Sequence, residues 1–374
     1  MGLPLDKLGV GRGEVGNDFT SRIWKGEYMN EGIVLAEQPA VSEGSTRTEL
    51  SDQFGRTLTY LRVALTDRCN FRCQYCMPAS GMKFFAQEHL LTHDEWTRII
   101  GIFANLRIRK IRITGGEPLL YPKLPELISA IRKEGEIEDI SVTTNGARLG
   151  PLAQTLKDAG LARANVSLDS LQSDRFTKIT RGGNLDKTLA GIFEAKRAGL
   201  DPIKVNCVVM RGENDDELAD FCRFSAESGI EVRFLEMMPT LNTTGGKHSF
   251  VSVSEMLREL MMSQIELMRL PDAPGETATQ YQMIPGGSII GFIGAVTRKF
   301  CGTCNRLRIL PSGYLKLCLH AEGGIDLKSL MRNGTTDDEL RQKIIGAVWN
   351  KASGSEFDDK RYEKSTTIMS QVGG

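Results

Sequence analysis

Apolar and polar positions alternate along six short runs in the first two thirds of the chain. Longer stretches with a period near 3.6 residues follow the first five runs, as amphipathic helices do. Strands that alternate with helices are typical of a parallel sheet with helices packed outside it. The runs span residues 61–66, 110–114, 140–145, 164–169, 203–209 and 231–235, and the helices about 93–106, 123–133, 149–159, 186–198 and 214–228.

The first five runs each have one apolar and one polar face, with Arg62 on a polar face. Parallel sheets are usually covered on both faces, so the polar faces are expected to line a cavity in a closed or nearly closed barrel. Its site would lie at the C-terminal strand ends. An open sheet with one solvated face is the alternative. The sixth run departs from this separation of apolar and polar faces, because Val232 and Phe234 share a face with Glu236. This departure predicts a bulge or strand end near Leu235.

The alternation stops near residue 240, and three regions follow from the pattern. Residues 1–50 have scattered apolar side chains and are expected to form an extended or disordered arm. Residues 51–240 form the predicted partial barrel, and 241–374 a smaller α+β segment. That segment is predicted to contain helices at 251–262, 326–330 and 337–348, and strands at 281–284, 289–293, 307–310 and 314–317.

Charge and hydropathy exclude several classes of protein. The 374 residues include 47 basic and 47 acidic side chains, so no broad basic field favours nucleic acid. The chain has no uninterrupted apolar run of about 18 residues, and no membrane span is expected. The N-terminus lacks the apolar core of a secretory signal, and its acids argue against a mitochondrial presequence. A cytoplasmic location is the expectation.

Eight cysteines are present, and six of them fall in two tight groups. The other two, Cys207 and Cys222, stand alone and are expected to be buried structural thiols. The first group, Cys69, Cys73 and Cys76, directly follows the first strand. Three thiolates on one loop can hold three irons of a [4Fe–4S] cube and leave the fourth iron open. Structural zinc prefers four ligands in pairs, so zinc is the poorer alternative.

The second group comprises Cys301, Cys304 and Cys318. A zinc site with His320 as fourth ligand is a serious alternative by ligand count alone. The neighbouring sequence favours another interpretation, since two arginines at positions 306 and 308 lie on the same strand face beside the cysteines.

The C-x3-C-x2-C spacing, with Tyr75 before the last cysteine, resembles the radical S-adenosylmethionine superfamily. This resemblance implies a partial (β/α)6 barrel whose open iron is chelated by the amino and carboxylate groups of S-adenosylmethionine. One electron then breaks the sulfonium bond, and the resulting 5′-deoxyadenosyl radical removes hydrogen from unactivated carbon. The protein supplies position and exclusion of water. The glycine pair Gly115-Gly116 matches the superfamily segment that meets the methionine amino group.

Further motifs narrow the resemblance to the GTP 3′,8-cyclase family over about residues 51–374. Enzymes of this family are lyases that take the first step of molybdenum cofactor biosynthesis. The runner-up is another radical S-adenosylmethionine enzyme with an auxiliary cluster, acting on a peptide or another nucleotide. A zinc-stabilised binding module is the alternative from a different class. The motifs are DQFGR (52–56), IRITGGEPL (111–119), TTNG (143–146), VSLDS (166–170), FCGTCNRLR (300–308) and the terminal Gly373-Gly374.

The resemblance also implies roles for individual residues. The first [4Fe–4S] cluster, on Cys69, Cys73 and Cys76, would cleave S-adenosylmethionine, which Tyr75, Gly116, Ser167 and Met238 would contact. The second [4Fe–4S] cluster, on Cys301, Cys304 and Cys318, would meet the guanine through its own open iron. Positions matching GTP contacts are Arg62, Arg112, Thr143, Lys204, Arg306, Leu307 and Arg308, with Arg306 and Arg308 also assigned catalytic roles.

The implied reaction removes hydrogen from ribose C3′ and joins C3′ to guanine C8. The product is (8S)-3′,8-cyclo-7,8-dihydroguanosine 5′-triphosphate. The implied partners are an electron donor and cyclic pyranopterin monophosphate synthase, which receives the product. Neither nucleic acid nor a membrane is implied, and a homodimer stays open.

Strand parity supports a phosphate ligand independently of the resemblance. Parity places Arg62, Arg112 and Lys204 on inward faces, with Asp169 as the only expected inward acid. Buried cations need an anion, which a triphosphate would supply. Internal salt bridges are the alternative. The resemblance, by contrast, implies that the backbone of the C-terminal double glycine enters the active site, with a frayed end as the alternative.

Overall fold

The computed structural model describes residues 49–238, 249–273, 275–321, 323–354 and 369–373. The predicted N-terminal arm therefore lies almost wholly outside the described residues. The described strands are β1 (Tyr60–Ala64), β2 (Lys110–Thr114), β3 (Asp139–Thr144), β4 (Arg163–Ser167), β5 (Ile203–Val209), β6 (Glu231–Glu236), β7 (Glu266–Arg269), β8 (Thr279–Ile284), β9 (Ile289–Ile293), β10 (Arg306–Ile309), β11 (Tyr314–Lys316) and β12 (Gly324–Asp326).

Helices follow most of the barrel strands and pack on the outer face of the sheet. Short 3₁₀ turns lie at Gln87–His89, Pro118–Leu120, Asp215–Glu217 and Cys301–Thr303. The described α-helices are α1 (His93–Asn105), α2 (Leu124–Lys133), α3 (Leu149–Ala159), α4 (Ser173–Thr180), α5 (Leu185–Arg197), α6 (Leu218–Ser228), α7 (Val253–Met262), α8 (Leu327–Arg332), α9 (Asp337–Trp349) and α10 (Met369–Val372).

The strands form one open sheet in the order β12-β11-β10-β1-β2-β3-β4-β5-β6-β9-β8-β7. Strands β1 to β6 are neighbours in chain order and run parallel. The partial (β/α)6 barrel is therefore confirmed. In the described chain its sheet does not close, because β12 and β7 form the two edges.

The C-terminal segment extends this sheet at both sides instead of forming a separate layer. Strand β10 pairs in parallel with β1, and β9 pairs in parallel with β6. The antiparallel hairpins β11–β12 and β7–β8 complete the two edges. The second cysteine group therefore lies beside the first barrel strand. The domain boundary near residue 240 stays a prediction.

The predicted apolar strand faces form the core. Val63, Ile113 and Val205 are fully buried, as are Trp96 and Phe103 of α1. Helices α1, α7 and α9 each begin with a capping box, in which a Ser or Thr side chain and a Glu three residues later satisfy free backbone N–H groups. Burial of these faces against the sheet is the main source of stability.

The sixth strand ends at Glu236, one residue after the predicted position. Its pairing with β5 runs unbroken through Glu236, so the predicted bulge is absent from the described strand. The buried Glu236 carboxylate accepts from the backbone N–H groups of Val253, Val296 and Thr297 at 2.9–3.0 Å. An acid on the apolar face thus joins β6 to the start of α7 and to the segment after β9.

Some elements were not predicted. Helix α4 was missed because its sequence is mostly polar, and the short β7, β12 and α10 offer little periodicity. Of the helices that the structure describes, none combines the length and apolar character needed to span a bilayer.

Candidate active site

The first cysteine group lies on the loop that follows β1, as predicted. The backbone N–H groups of Arg72 and Gln74 donate to the carbonyl oxygens of Thr180 and Ile179 at the end of α4. Helix α4, which the sequence pattern did not predict, therefore holds this loop. Burial raises the pKa of Cys69 to about 11 and that of Cys76 to about 12. Without a metal these thiols stay protonated, and a bound cluster must displace their protons.

The glycine pair after β2 packs against the entrance of this loop. A Cβ on Gly116 would lie 2.3 Å from the carbonyl oxygen of Arg68, so only glycine fits this contact. The buried Glu117 carboxylate accepts from Thr144 Oγ1 at 2.7 Å and from the Asn145 N–H at 2.8 Å. The two motifs at the ends of β2 and β3 are therefore one hydrogen-bonded unit beside the cysteines.

The second cysteine group begins on a 3₁₀ turn at Cys301–Thr303 and ends with Cys318 after β11. Arg56 supports it, donating to the carbonyl oxygens of Cys301 at 2.8 Å and Ser353 at 2.9 Å while Asp52 accepts from its Nε at 2.5 Å. Burial acts to raise the pKa of Cys318, but backbone N–H groups at residues 320 and 321 and nearby cations outweigh it, so that pKa is lowered.

Each cysteine group offers three thiols, the donor set for three irons of an iron–sulfur cube. Among the described residues no set of three or more Cys, His, Asp or Glu is placed to hold one metal ion. A cube binds each thiolate through a different iron, so its ligands do not have to converge on one point. His320 lines the pocket near Cys318, and burial followed by Arg308 lowers its pKa to about 4.

A cavity of about 300 Å³ runs from Tyr75, on the first cysteine loop at the C-terminal strand ends, to Cys301 and Cys304. These two cysteines precede β10, which is parallel to β1, so the second group lies at the N-terminal ends and the site extends beyond the C-terminal ends that the sequence predicted. Tyr75, Ser167 and Met238 line the cavity near the first group, and Cys301, Cys304 and Cys318 at the second. The wall between them carries Arg62, Arg112, Arg306, Arg308 and Thr143. Most of the predicted site residues are therefore brought to one pocket.

In this wall Arg112 is buried, whereas Arg62, Arg306 and Arg308 are partly buried, and their charges act on one another. Burial, followed by the charge of Arg306, lowers the pKa of Arg308 to about 10. Burial also lowers the pKa of Arg112. Among the described residues, Arg112 Nε, Thr143 Oγ1 and the side-chain oxygens of Asn165 and Asn206 have no hydrogen-bond partner. A pocket with buried cations and unpaired polar atoms is suited to a polar anion.

The expectation that Asp169 is the only inward acid was wrong. The register places Asp139 and Glu231 on inward faces at the N-terminal ends of their strands, where Asp139 pairs with Arg163. Glu231 binds the Nζ of Lys204 at 2.8 Å. Part of the inward positive charge is therefore neutralised internally, as the alternative interpretation held.

Two predicted GTP positions lie apart from the pocket wall. Lys204 is outside the residues that line the cavity, on the side of Glu231. The Leu307 side chain is fully buried and, on alternating β10, points opposite to Arg306 and Arg308. Any ligand contact at Leu307 would come from its backbone. Gly116 also falls outside the lining and packs on the cysteine loop.

The structure adds pocket residues that the sequence did not single out. Arg233, Asn206, Lys299 and Lys351 also line the cavity. Strand parity could have found Arg233, since it lies two residues after inward-facing Glu231, but the suspected break in β6 obscured it. Lys351 follows the end of α9, so no helical periodicity predicts where its side chain points.

Asp169 holds the Tyr75 side chain in place through a hydrogen bond. Tyr75 Oη donates to Asp169 Oδ2 at 2.7 Å, and Oδ1 accepts from the Val208 N–H at 2.9 Å. Burial raises the pKa of Asp169 to about 6. The carboxylate thus joins the first cysteine loop to the ends of β4 and β5.

The C-terminal tail enters the pocket through its backbone. The Gly373 carbonyl oxygen accepts from Arg308 Nη1 at 2.8 Å and from Arg62 Nη2 at 3.5 Å. A Cβ on Gly373 would lie 2.0 Å from Thr114 Oγ1, so the position requires glycine. The expected entry of the tail is confirmed for Gly373, and Gly374 lies outside the described residues.

Comparisons with known proteins agree with this geometry. The Radical SAM superfamily profile matches residues 63–225, and the Molybdenum Cofactor Synthesis C profile matches residues 230–357. The fold resembles Streptococcus suis SuiB, crystallised with precursor peptide SuiA, with a TM-score of 0.54 and 14% identity over 82% of this chain and 66% of that chain. At this identity the likeness concerns the fold alone.

Two curated relatives are much more similar. The GTP 3′,8-cyclase of Heliobacterium modesticaldum is 40% identical over 325 residues, which is 86% of this chain and 99% of the relative. The GTP 3′,8-cyclase of Listeria monocytogenes serotype 4b is 40% identical over 333 residues, covering 87% and 99%. Identity of this extent, together with the two matched profiles, shows that the chain belongs to the GTP 3′,8-cyclase family of radical S-adenosylmethionine enzymes.

Proposed function

We propose that this chain converts GTP to (8S)-3′,8-cyclo-7,8-dihydroguanosine 5′-triphosphate, the first step of molybdenum cofactor biosynthesis. The observation that supports it most directly is a pocket that reaches from Tyr75, on the first cysteine loop, to the second cysteine group and is lined by Arg62, Arg112, Arg306 and Arg308. A triphosphate requires several cations, and guanidinium groups match phosphate geometry.

The cofactors of the family are S-adenosylmethionine and two clusters, and the cysteines fit them. Cys69, Cys73 and Cys76 would hold the first cluster, and Cys301, Cys304 and Cys318 the second. When bound, the first cluster and S-adenosylmethionine supply the radical that removes hydrogen from ribose C3′.

The chain's own residues would bind and orient the substrate. The arginines of the wall would hold the phosphates, leaving the guanine free to reach the second cysteine group. Thr143 Oγ1 and Asn206 Oδ1 are buried and without a partner in the described chain, so each can bond a polar ligand atom. Tyr75, Ser167 and Met238 would position S-adenosylmethionine. Catalysis then depends on holding ribose C3′ near the radical with water excluded.

The decisive experiment is anaerobic incubation of the reconstituted protein with GTP, S-adenosylmethionine and a chemical reductant, followed by mass and NMR analysis of the nucleotide. We expect an isomer of GTP with a C3′–C8 bond and 5′-deoxyadenosine formed only when GTP is present. ATP in place of GTP is the matched control. Formation of 5′-deoxyadenosine at the same rate without GTP, and no altered nucleotide, would reject the proposed substrate.

The cellular setting belongs to the same proposal. The enzyme would act in the cytoplasm with a one-electron donor and pass its product to cyclic pyranopterin monophosphate synthase. A pull-down with that synthase under anaerobic conditions would test the transfer, and the absence of any binding would count against it.

A further inference from the structure

Lys351 is a buried cation that the proposed reaction does not use. The residue is only 2% exposed, and its side chain forms part of the cavity wall beside the second cysteine group. Its Nζ donates to the carbonyl oxygen of Leu317, the residue before Cys318. A neutral carbonyl is a hydrogen-bond acceptor, but it does not balance a buried positive charge.

In the part of the chain that the structure describes, Lys351 has no carboxylate counter-ion. Within the described residues no carboxylate lies within 4.0 Å of its ammonium group. The nearby Asp52 is already bound to Arg56 at 2.5 Å. Burial lowers the pKa of Lys351, and the groups that most oppose this effect are Cys304 and Cys318. Buried charges are normally paired or lie against a metal centre, so the missing anion should be found at these cysteines.

A cluster held by the second cysteine group would supply that anion. A [4Fe–4S] cube on three thiolates carries a net negative charge, which grows by one unit when the cube takes up an electron. A fixed cation beside the sulfurs stabilises the reduced form more than the oxidised form. Net charge and hydrogen bonding around the sulfurs are established means of tuning such potentials.

We propose that Lys351 is the buried counter-ion of the cluster on Cys301, Cys304 and Cys318 and raises the reduction potential of that cluster. The inference rests on the second cluster of the proposed function, but not on GTP as the substrate. The redox step concerned is uptake of one electron from an added reductant, with no bond made or broken in the protein.

The test compares Lys351→Met, which removes the charge at similar length, with Lys351→Arg, which keeps it. Both are made in full-length protein whose Cys69, Cys73 and Cys76 are replaced by Ala, so that only the second cluster assembles. Lys343→Met is the matched control, because Lys343 is exposed on the preceding helix α9. Iron is quantified first, and the cluster is then titrated anaerobically with dithionite while its EPR signal is recorded.

We expect Lys351→Met to make reduction at least tenfold less favourable, a downward shift of about 59 mV for one electron. Lys351→Arg and Lys343→Met should keep the parent potential. A fully loaded Lys351→Met protein with the parent potential would overturn the inference. Assembly of the cluster without formation of a cyclised nucleotide would count against the proposed function alone.

The thermal stability of the metal-free protein tests the inference even if Lys351→Met binds little iron. An unpaired buried charge destabilises the metal-free fold, so the apo form of Lys351→Met should unfold at the parent temperature or higher. A role confined to the bond with Leu317 predicts the opposite, a less stable apo protein. Lower apo stability of Lys351→Met, relative to Lys343→Met, would therefore also overturn the inference.

Discussion

The hydroxyl group of Tyr75 donates to the Asp169 carboxylate at 2.7 Å, which ties the first cysteine loop to the end of β4. Asp169→Asn should weaken this bond, since an amide nitrogen cannot accept the hydroxyl proton. We expect a loss of about 1–3 kcal/mol in the free energy of unfolding, because buried polar groups lose their partner. Urea unfolding of the metal-free protein under reducing conditions would measure it.

A double-mutant cycle gives the control for this pair. Tyr75→Phe removes the donor, so Asp169→Asn should cost little more in its presence. Coupling between residues in contact is typically about 0.5–3 kcal/mol. Additive effects of the two substitutions would show that the bond contributes nothing to stability.

Glu231 offers a pH-dependent prediction. Glu231 binds Lys204 at 2.8 Å and Arg233 at 2.5 Å. Burial acts to raise the pKa of Glu231, but these two cations outweigh that effect, so its pKa lies below the usual value of 4.5. An acid with a depressed pKa contributes stability above its unfolded-state pKa and loses that contribution as the pH falls towards the folded-state value. Glu231→Gln should therefore cost about 3 kcal/mol at neutral pH, since it leaves buried cations unpaired.

The difference between parent and Glu231→Gln should be constant between about pH 7 and pH 5 and shrink below about pH 4.5. Urea unfolding at several pH values would show this trend. Glu266→Gln is the control, because Glu266 is an exposed acid on β7. A difference that grew on acidification would contradict the assigned pKa direction.

Strand periodicity was sufficient to predict the cationic pocket. The alternation in β1 and β2 placed Arg62 and Arg112 inward, and both line the cavity. Periodicity could not reveal that β10 pairs with β1, because strand order is set by tertiary packing and not by local pattern. The same limit applies to Lys204, whose partner Glu231 begins a strand that the pattern presented as irregular. The ion pairs Lys204–Glu231 and Arg163–Asp139, at the N-terminal ends of the strands, could be recognised only from the strand register.

Gly373 carries a prediction about the tail. Its φ of +73° and the 2.0 Å approach of an added Cβ to Thr114 Oγ1 leave no room for a side chain. Gly373→Ala should displace the carbonyl from Arg308 and lower nucleotide product formation more than tenfold, a loss of about 1.4 kcal/mol in transition-state stabilisation. Initial rates with saturating GTP and S-adenosylmethionine would measure the effect.

The matched control is Gly212→Ala. Gly212 has nearly the same φ, +72°, but an added Cβ would meet nothing within 4 Å, so the variant carries the backbone strain without the collision. Equal rates for the two variants would show that the position of the tail at the pocket arginines does not affect turnover.

Arg56 leads to a prediction about cluster retention. Its guanidinium donates at the same time to the carbonyl oxygens of Cys301, Ala352 and Ser353. Lysine keeps the charge but has a compact ammonium group that cannot span these acceptors. Arg56→Lys should therefore loosen the turn that carries Cys301 and release iron from the second cluster faster, while the first cluster is retained. Iron transfer to a chelator, followed anaerobically, would measure both phases.

The assignment of the phases depends on two reference proteins. One has Ala at positions 69, 73 and 76, and the other at 301, 304 and 318, so each retains a single cysteine group. Arg56→Lys should accelerate release only in the first of them, whereas the exposed Arg223→Lys should affect neither. Faster release in both would mean that Arg56 stabilises the whole fold. Unchanged release in both would mean that the hydrogen bond to Cys301 does not hold the ligand, because the turn would then keep its geometry without the guanidinium.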